Sequence, residues 1–357
     1  MVCKMIRYSI LFIVLLVSIY YVQKYNFLKS LDETYVANTN WEFQWLIIKY
    51  AILSLFSNIQ YDELTGGMKE TEYEKSTLYA ILYNMYDHIG EVKDDKGKSY
   101  RFTFNTWGFY LPDKTQITTD ETEFAGKTAY ANYFNFPAIK QLMKTTDKPA
   151  IAELGCGTGA GGYYICDRMQ CNYTAIDMQQ SAINILNKVH KHNNLKGVCT
   201  NAQSTGLLDE SMDLVIINET HISEMVGVMT LEDKKVFDEV YRILKPGGYF
   251  CWGNVIPDAT WKPCITYVSD KMKLIASEDY TKEAILARDL EAKRVELYID
   301  AIKDKLWVSK LPGASSFIQK TMLLLKNFYR QPGTELYNEM VSGRDTYKQH
   351  VFQKLNK

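Results

Sequence analysis

The residues best suited to chemistry form a glycine-rich stretch in the middle of the chain, at positions 150–162. It runs Ala-Ile-Ala-Glu-Leu-Gly-Cys-Gly-Thr-Gly-Ala-Gly-Gly. The apolar start predicts a buried strand that ends at Glu153, and the apolar pattern after 162 predicts a helix. Glycines let the backbone turn tightly without a Cβ clash, so a ligand can approach the main chain and the start of the helix. We therefore expect a nucleotide-binding turn, in which Cys156 serves as a small residue and not as a nucleophile.

Two known patterns fit this turn. Residues 157–162 match G-x-G-x-x-G, the dinucleotide-binding pattern, which has little specificity by itself. Residues 153–159 match E-x-G-x-G-x-G at every fixed position. The glycines alone leave the choice of cofactor open, so the neighbouring elements have to decide it.

Around the turn, residues 148–256 alternate between strand-like and helix-like patterns, which predicts a parallel sheet covered by helices on both faces. Further strands are predicted at 173–177, 198–200, 213–218 and after the turn at 245–248, with helices at 182–192 and 231–244. The second strand ends in Asp177, which lies 20 residues after Gly157. At that spacing an acidic side chain can accept hydrogen bonds from both ribose hydroxyls of a nucleotide.

The later elements resemble those of class I methyltransferases, which use S-adenosyl-L-methionine (SAM). Residues 213–218 and 241–250 are similar to the fourth and fifth strands of that family, including its L-K/R-P-G-G-x turn at 244–249. A nicotinamide-dependent enzyme has no need of this turn. The resemblance implies an α/β, Rossmann-like fold with a mostly parallel seven-stranded sheet, and it implies SAM as the cofactor.

The same resemblance implies which residues contact the methionine and ribose parts of SAM. Gly155, Gly157 and Gly159 would lie against the methionine moiety. Asp177 would hold the ribose. Glu153 would order the turn and reach the amino acid end of the cofactor through water.

Four more residues complete the candidate cofactor-binding set. By resemblance, Met178 would pack on the adenine ring. Asn201 and Ala202 stand where relatives usually have Asp-Ala, in contact with the adenine amino group. Asn201 keeps a side-chain acceptor for that group, so the contact is weakened but retained. The last of these four residues is Asn218, at the end of the predicted fourth strand.

The loop at 218–224 follows the fourth strand, where the acceptor meets the methyl group in this family. It is similar to the N-x-E-x-x-H and E-x-x-H loops of small-molecule and lipid methyltransferases, although here His221 comes two residues after Glu219 instead of three. His221 is the candidate base for a hydroxyl proton, because a neutral imidazole can accept it near neutral pH. Glu219 is the second candidate catalytic residue. Both residues could instead cap the helix that follows.

A closer resemblance is to the phthiotriol/phenolphthiocerol dimycocerosate methyltransferases. It is carried by residues 107–110, 153–159, 218–221 and 246–250, with a looser match at 333–347. It implies O-methylation of a hydroxyl on a lipid or another hydrophobic small molecule. Trp107 and Tyr110 become candidate lid residues, although either could be an ordinary core aromatic.

The N-terminal region contains two apolar stretches. Residues 8–23 are uncharged and are flanked by Lys4, Arg7 and Lys24, a pattern that predicts an uncleaved signal anchor, or transmembrane helix, of marginal length. The flanking charges do not orient this helix. Because SAM is made in the cytosol, we expect a single-pass membrane protein with a cytosolic catalytic domain. Residues 41–57 could be a membrane-surface helix or a buried cap helix.

Composition limits the function classes. The 357 residues include 41 basic and 42 acidic side chains, a net charge of −1 that disfavours nucleic acid as a partner. Seven cysteines without a CxxC spacing favour neither a disulfide framework nor a zinc site, and no motif requires a metal. The predicted parts are an anchor at 1–25, a helical extension and cap at 26–145, the SAM-binding core at 146–256, and a helical lid insertion with the closing strands at 257–357.

Two other functions stay open at this stage. The same fold serves C- or N-methylation of a sterol, quinone or phospholipid headgroup. A catalytically inactive, methyltransferase-like scaffold subunit would keep the fold without the reaction. The intact glycines and Asp177 argue against the scaffold, whereas Asn201 and the shifted His221 are the departures that favour it.

Overall fold

A mixed sheet of seven strands forms the centre of the fold. The structure is a computed structural model that describes residues 42, 83–89, 91–104, 106–220, 225–305, 322–323 and 325–355. The strands β1 (Glu91–Lys93) and β2 (Ser99–Arg101) form a separate antiparallel hairpin. The central sheet contains β3 (Ala150–Leu154), β4 (Asn172–Asp177), β5 (Leu195–Cys199), β6 (Met212–Asn218), β7 (Leu244–Pro257), β8 (Met272–Asp279) and β9 (Asp345–Lys354).

The order of the central sheet is β5-β4-β3-β6-β7-β9-β8. The first five strands in this order are parallel, whereas β9 runs antiparallel to both β7 and β8. The carboxyl ends of the parallel strands therefore meet at one edge of the sheet, which is where open α/β folds bind their ligands.

Helices connect the strands and cover the sheet. They are α1 (Pro112–Thr115), α2 (Phe124–Tyr133), α3 (Pro137–Thr145), α4 (Ala160–Cys166), α5 (Gln180–Val189), α6 (Leu231–Ile243), α7 (Asp258–Ser269), α8 (Thr281–Lys305) and α9 (Glu335–Val341). Residues 83–89 are helical as well. The helix α6 begins at a capping box, in which the Thr230 side chain accepts from the Asp233 amide and the Asp233 carboxylate accepts from the Thr230 amide.

Two hydrophobic clusters sandwich the sheet. On one face, α6 and α7 pack against Trp252 and Phe352. On the other face, α2, α3, α4 and α5 pack against Ile151 and Ile216. A third cluster joins residues 83–89 to α5 and α8, so the segment before the hairpin is attached to the helix that follows β4.

The predicted strands of the alternating region are confirmed as β3 to β7, and β9 is one of the closing strands expected within 257–357. The edge strand β8 was not predicted. Its exposed side chains alternate with buried or half-buried ones, as expected for an edge strand with one solvated face, but it lies among helical patterns that hid the alternation. Because β9 is antiparallel to both of its neighbours, the sheet is mixed, with five of its seven strands paired in parallel with one another.

The predicted transmembrane helix requires a correction. In the part of the chain that the structure describes, no helix is long and apolar enough to cross a membrane. The membrane predictions were based on residues 8–23 and 41–57, which, apart from residue 42, lie outside the described residues. The described residues form a Rossmann-like fold with a mixed seven-stranded sheet.

His350 is fully buried in β9 among aromatic rings. Its ring lies 4.8 Å from that of Trp261 and 5.8 Å from that of Trp252, and no described residue forms a hydrogen bond with either ring nitrogen. Burial lowers the pKa of His350 to about 4. In the unfolded chain His350 is protonated below the ordinary pKa of histidine, whereas in the folded protein its burial disfavours the charged form.

We expect this histidine to make the fold acid-sensitive. Its contribution to stability is complete above pH ~6.5 and falls by about 3 kcal/mol as the pH drops to ~4. Replacing His350 by phenylalanine keeps a ring in the cluster and should flatten this part of the profile of unfolding free energy against pH. Urea unfolding of both proteins between pH ~4 and ~7 measures the difference, and parallel profiles would contradict the prediction.

Candidate active site

The glycine turn links β3 to α4, and its backbone is fixed to the end of β4. Gly155, Gly157 and Gly159 all have positive φ angles, of 79°, 53° and 79°. The amides of Gly155 and Cys156 donate to the carbonyl of Ile176 at 2.8 and 2.9 Å. A Cβ at Gly155 would also clash with the side chain of Thr220. Both the backbone angle and the neighbouring side chain therefore require glycine at 155.

Asp177 ends β4 next to this turn. Its carboxylate accepts hydrogen bonds from the Gly157 amide at 2.9 Å and from the Gln179 amide at 2.8 Å. The side chain is nearly buried, and burial raises the pKa of Asp177 to about 6. Each carboxylate oxygen has a further lone pair, so the group can accept additional hydrogen bonds from the hydroxyls of a ligand.

Glu153 is buried, and each of its carboxylate oxygens accepts a hydrogen bond. Its two oxygens accept from the Tyr130 hydroxyl at 2.6 Å and from the Tyr173 hydroxyl at 2.9 Å. Burial raises the pKa of Glu153 to about 7. The Tyr130 ring packs so closely on α4 that a Cβ at Gly161 would clash with it. Glu153 thus joins β3 to α2 and β4, and its contact with the cofactor through water stays a prediction.

The residues predicted to contact adenine lie in two loops at the same edge of the sheet. Met178 directly follows Asp177, and its side chain is 53% exposed. The amide of Thr200 donates to the Asp177 carbonyl at 3.0 Å, which ties the loop after β5 to the end of β4. In that loop Asn201 is exposed and Ala202 packs at the margin of the core. The structure therefore brings these candidates together beside Asp177.

The end of β6 approaches the glycine turn from the other side. The Thr220 hydroxyl donates to the Leu154 carbonyl at 3.1 Å, and the Glu219 amide donates to the Gly253 carbonyl at 2.8 Å. Asn218 is buried, and its Oδ1 accepts from the Tyr133 hydroxyl at 2.9 Å. His221, the candidate base, lies outside the described residues together with 222–224.

The carboxylate of Glu219 holds the segment that contains Trp107. It accepts from the Trp107 amide, from the Gly108 amide at 2.8 Å and from the Tyr347 hydroxyl at 2.7 Å. Burial raises the pKa of Glu219, and these hydrogen bonds oppose that shift. Because its carboxylate accepts three hydrogen bonds, Glu219 has the geometry of a residue that anchors the Trp107 segment.

Two arginines complete the attachment of Trp107. The Arg288 guanidinium, in α8, donates to the Trp107 carbonyl and pairs with Glu291 at 2.9 Å. The Arg330 guanidinium lies 4.9 Å from the centre of the Trp107 indole ring and pairs with Asp345 at 3.2 Å. The loop after β6 and the helix α8 therefore contact this segment directly, and Arg330 links it to the start of β9.

Tyr110, the second candidate lid residue, also contacts α8 but through its backbone. Its amide donates to the Glu283 carbonyl at 3.1 Å, and its ring packs edge-on against Phe124 at 5.3 Å. The surroundings of Tyr110 are those of a core aromatic, whereas those of Trp107 include the end of β6.

Sequence reasoning missed the tyrosines that hold the site. Tyr130 and Tyr133 stand three residues apart, on one face of α2, and bind Glu153 and Asn218. Tyr347 binds Glu219 from β9. The i, i+3 spacing in α2 was the available signal, but it indicates only a buried face and does not identify the polar partners.

Together, the sheet order, the glycine turn and the acid at the end of β4 define the class I methyltransferase fold, whose cofactor is SAM. Comparison with known proteins agrees with this class. Residues 152–252 match the family model described as "Methyltransferase domain". The chain therefore carries a SAM-dependent methyltransferase domain.

Among the similar proteins is a phthiotriol/phenolphthiotriol dimycocerosates methyltransferase of Mycobacterium tuberculosis, 29% identical over 117 residues that cover 31% of this chain and 41% of the relative. A fatty-acid O-methyltransferase of Mycolicibacterium smegmatis is 23% identical, over 45% of this chain and 58% of the relative. The chain spans less than two thirds of the length of these two relatives. The cyclopropane synthase MmaA2 from Mycobacterium tuberculosis shares the fold, with a TM-score of 0.52 at 10% identity, over 84% of this chain and 100% of that chain.

The raised pKa of Asp177 leads to a prediction for SAM binding. The ionised carboxylate accepts hydroxyl hydrogen bonds better than the acid does, so binding should improve as Asp177 loses its proton near pH 6. We expect SAM affinity to rise about tenfold between pH ~5 and ~7 and then to level off. Calorimetric titrations across this range measure the profile. A flat profile in the wild type, or an equal slope in Asp177→Asn, would contradict the assignment.

Proposed function

We propose that the protein transfers the methyl group of SAM to a hydroxyl on a lipid or another hydrophobic small molecule. One observation carries the proposal. The glycine turn is bonded to Asp177 through the Gly157 amide, while Thr220 joins the loop after β6 to the end of β3. These contacts support a cofactor site and an acceptor site at one edge of the sheet, and the names of the relatives suggest the class of acceptor.

In this proposal the cofactor lies along the carboxyl ends of β3, β4 and β5. Gly155, Gly157 and Gly159 give room for the methionine part, and the Asp177 carboxylate accepts from the ribose hydroxyls. Met178 and the loop with Asn201 contact the adenine ring. When bound, SAM supplies an electrophilic methyl group on a sulfonium.

The chain has two further tasks in the reaction. It has to hold the acceptor oxygen in line with the methyl group, because methyl transfer is a displacement that depends chiefly on positioning. It also has to remove the hydroxyl proton, for which His221 is the proposed base. We assign Glu219 to the first task, since its carboxylate fixes Trp107 and Gly108 beside the acceptor loop.

Apolar side chains beside the acceptor loop support a hydrophobic acceptor. Met225, Val226 and Leu231 are 54%, 57% and 62% exposed. The loop that carries Met225 and Val226 is fixed to α7, because the Thr260 hydroxyl accepts from the Gly227 amide at 2.8 Å and donates to the Met225 carbonyl at 2.6 Å. Exposed apolar side chains next to a site are a feature of surfaces that bind apolar ligands.

The test uses the full chain and SAM with a labelled methyl group. Long-chain compounds of equal length that end in a hydroxyl, a carboxylate, a thiol or an amine are offered as acceptors, together with a short-chain alcohol. We expect the label on the long-chain alcohol, at a higher kcat/KM than on the short one. Label only on the amine would favour N-methylation instead. No transfer to any acceptor by a protein that binds SAM would favour the scaffold.

A further inference from the structure

The side-chain amide of Asn218 has a donor that no described residue pairs with. Asn218 is only 3% exposed, and its buried Nδ2 has no hydrogen-bond partner among the residues that the structure describes. Its Oδ1, by contrast, accepts from the Tyr133 hydroxyl at 2.9 Å. A buried amide N–H without an acceptor is costly, and folded proteins rarely keep one without a reason.

The surroundings fix the orientation of this amide. Tyr133 is fully buried in α2, so its hydroxyl has a defined position. On β7, Gly253 stands opposite Asn218 in the sheet register, and a Cβ there would clash with the Tyr133 hydroxyl and press on Asn218 Oδ1. Glycine at 253 therefore makes room for the Tyr133–Asn218 hydrogen bond, which leaves Nδ2 as the free end of the amide.

The free donor lies between the proposed cofactor and acceptor sites. Asn218 is the last residue of β6, and the next two residues are Glu219, which binds the Trp107 segment, and Thr220, which packs against Gly155. The buried, unpartnered donor thus belongs to the edge of the sheet at which the glycine turn and the acceptor loop meet.

We propose that Asn218 Nδ2 donates a hydrogen bond to a ligand oxygen, with Tyr133 and Gly253 as positioning residues. This inference rests on the proposed function. The oxygen belongs either to the carboxylate of SAM or to the acceptor hydroxyl, since both offer lone pairs to an N–H donor. In the second case one lone pair would accept from Asn218 while another attacks the methyl carbon. The bond between that carbon and the sulfonium sulfur would break, its electron pair would stay on the sulfur as S-adenosylhomocysteine leaves, and the hydroxyl proton would pass to the base.

The experiment measures the SAM Kd by calorimetry and the acceptor KM and kcat by methyl transfer, in the full chain. Asn218→Ala removes the donor, and Asn218→Asp replaces it with an acceptor of the same shape. If the Kd for SAM rises by about tenfold or more, with the larger effect in Asn218→Asp, the oxygen that Asn218 binds belongs to the carboxylate of SAM. An unchanged Kd with kcat/KM for the acceptor lowered by about tenfold or more identifies the hydroxyl.

Tyr133→Phe tests whether Tyr133 positions the Asn218 amide. It also tests the inference if the Asn218 variants do not fold. It removes the bond that orients the amide and should shift the same parameter in the same direction, by a smaller factor. Tyr298→Phe is its control, because that hydroxyl is equally buried in the cluster formed by 83–89, α5 and α8. Asn327→Asp is the control for Asn218→Asp, since Asn327 is a buried amide whose Oδ1 accepts from Leu336.

The inference is overturned if the wild type is active but Kd, KM and kcat stay within about twofold of it in a folded Asn218→Ala. It is also overturned if Tyr133→Phe and Tyr298→Phe behave alike. A folded wild type that neither binds SAM nor transfers its methyl group would overturn the proposed function itself, so the two failures are distinguishable.

Discussion

Replacing Asp177 by alanine is expected to raise the Kd for SAM by about a hundredfold or more. In the proposed site the carboxylate accepts from two ribose hydroxyls, and each hydrogen bond to a charged group is worth about 1.5–3 kcal/mol. The substitution also takes away the acceptor of the Gly157 amide, which helps to hold the glycine turn. Calorimetric titration of the full chain with SAM measures the effect.

Asp213→Ala is the matched control for this variant. Asp213 is near the opposite end of the parallel strands, where its carboxylate accepts from the Ala150 amide at 2.8 Å and from Lys245 at 2.8 Å. This substitution should lower the melting temperature without changing SAM affinity. A Kd in Asp177→Ala within about threefold of the wild-type value would contradict the assignment of Asp177 to the ribose.

Replacing Glu219 by alanine is expected to lower the free energy of unfolding by about 3 kcal/mol or more. The change leaves two backbone amides and the Tyr347 hydroxyl without their acceptor, and it removes the carboxylate that faces the buried Arg288. Glu219→Gln keeps an oxygen for one or two of these donors, so it should cost less. Urea unfolding measures the loss in both variants.

The same variants distinguish an anchor from a base. If Glu219 positions the Trp107 segment, Glu219→Gln should lower stability and raise the acceptor KM, with a smaller change in kcat. A base at this position would give the opposite pattern, with kcat reduced by about a hundredfold and stability nearly unchanged. Glu239→Gln is the control, because Glu239 is a buried carboxylate that binds Thr205 and Arg242 away from the acceptor loop.

The cofactor side of the site was largely predictable from the sequence, because its signals are local. The glycine turn and Asp177 are linked by a hydrogen bond across 20 residues, within one strand–helix–strand unit whose spacing is characteristic. Five of the seven strands followed from the same alternating pattern. The cofactor fold could therefore be recognised without long-range information.

The acceptor side was less predictable, because its contacts are distant in the chain. Glu219 binds Gly108 across 111 residues and Tyr347 across 128. No spacing rule connects such positions, and Glu219 by itself looks like either a base or a helix cap. The strand β8 was missed for a related reason, since its alternating side chains matter only once β9 is paired beside it.

The most direct measurement of the central claim is the amount of S-adenosylhomocysteine that the full chain forms from SAM, with and without a long-chain alcohol. The account predicts product that depends on the alcohol and that is lost in Asp177→Ala. Background levels with every acceptor, from a folded protein that binds SAM with a measurable Kd, would contradict it and leave a SAM-binding fold without the transferase activity.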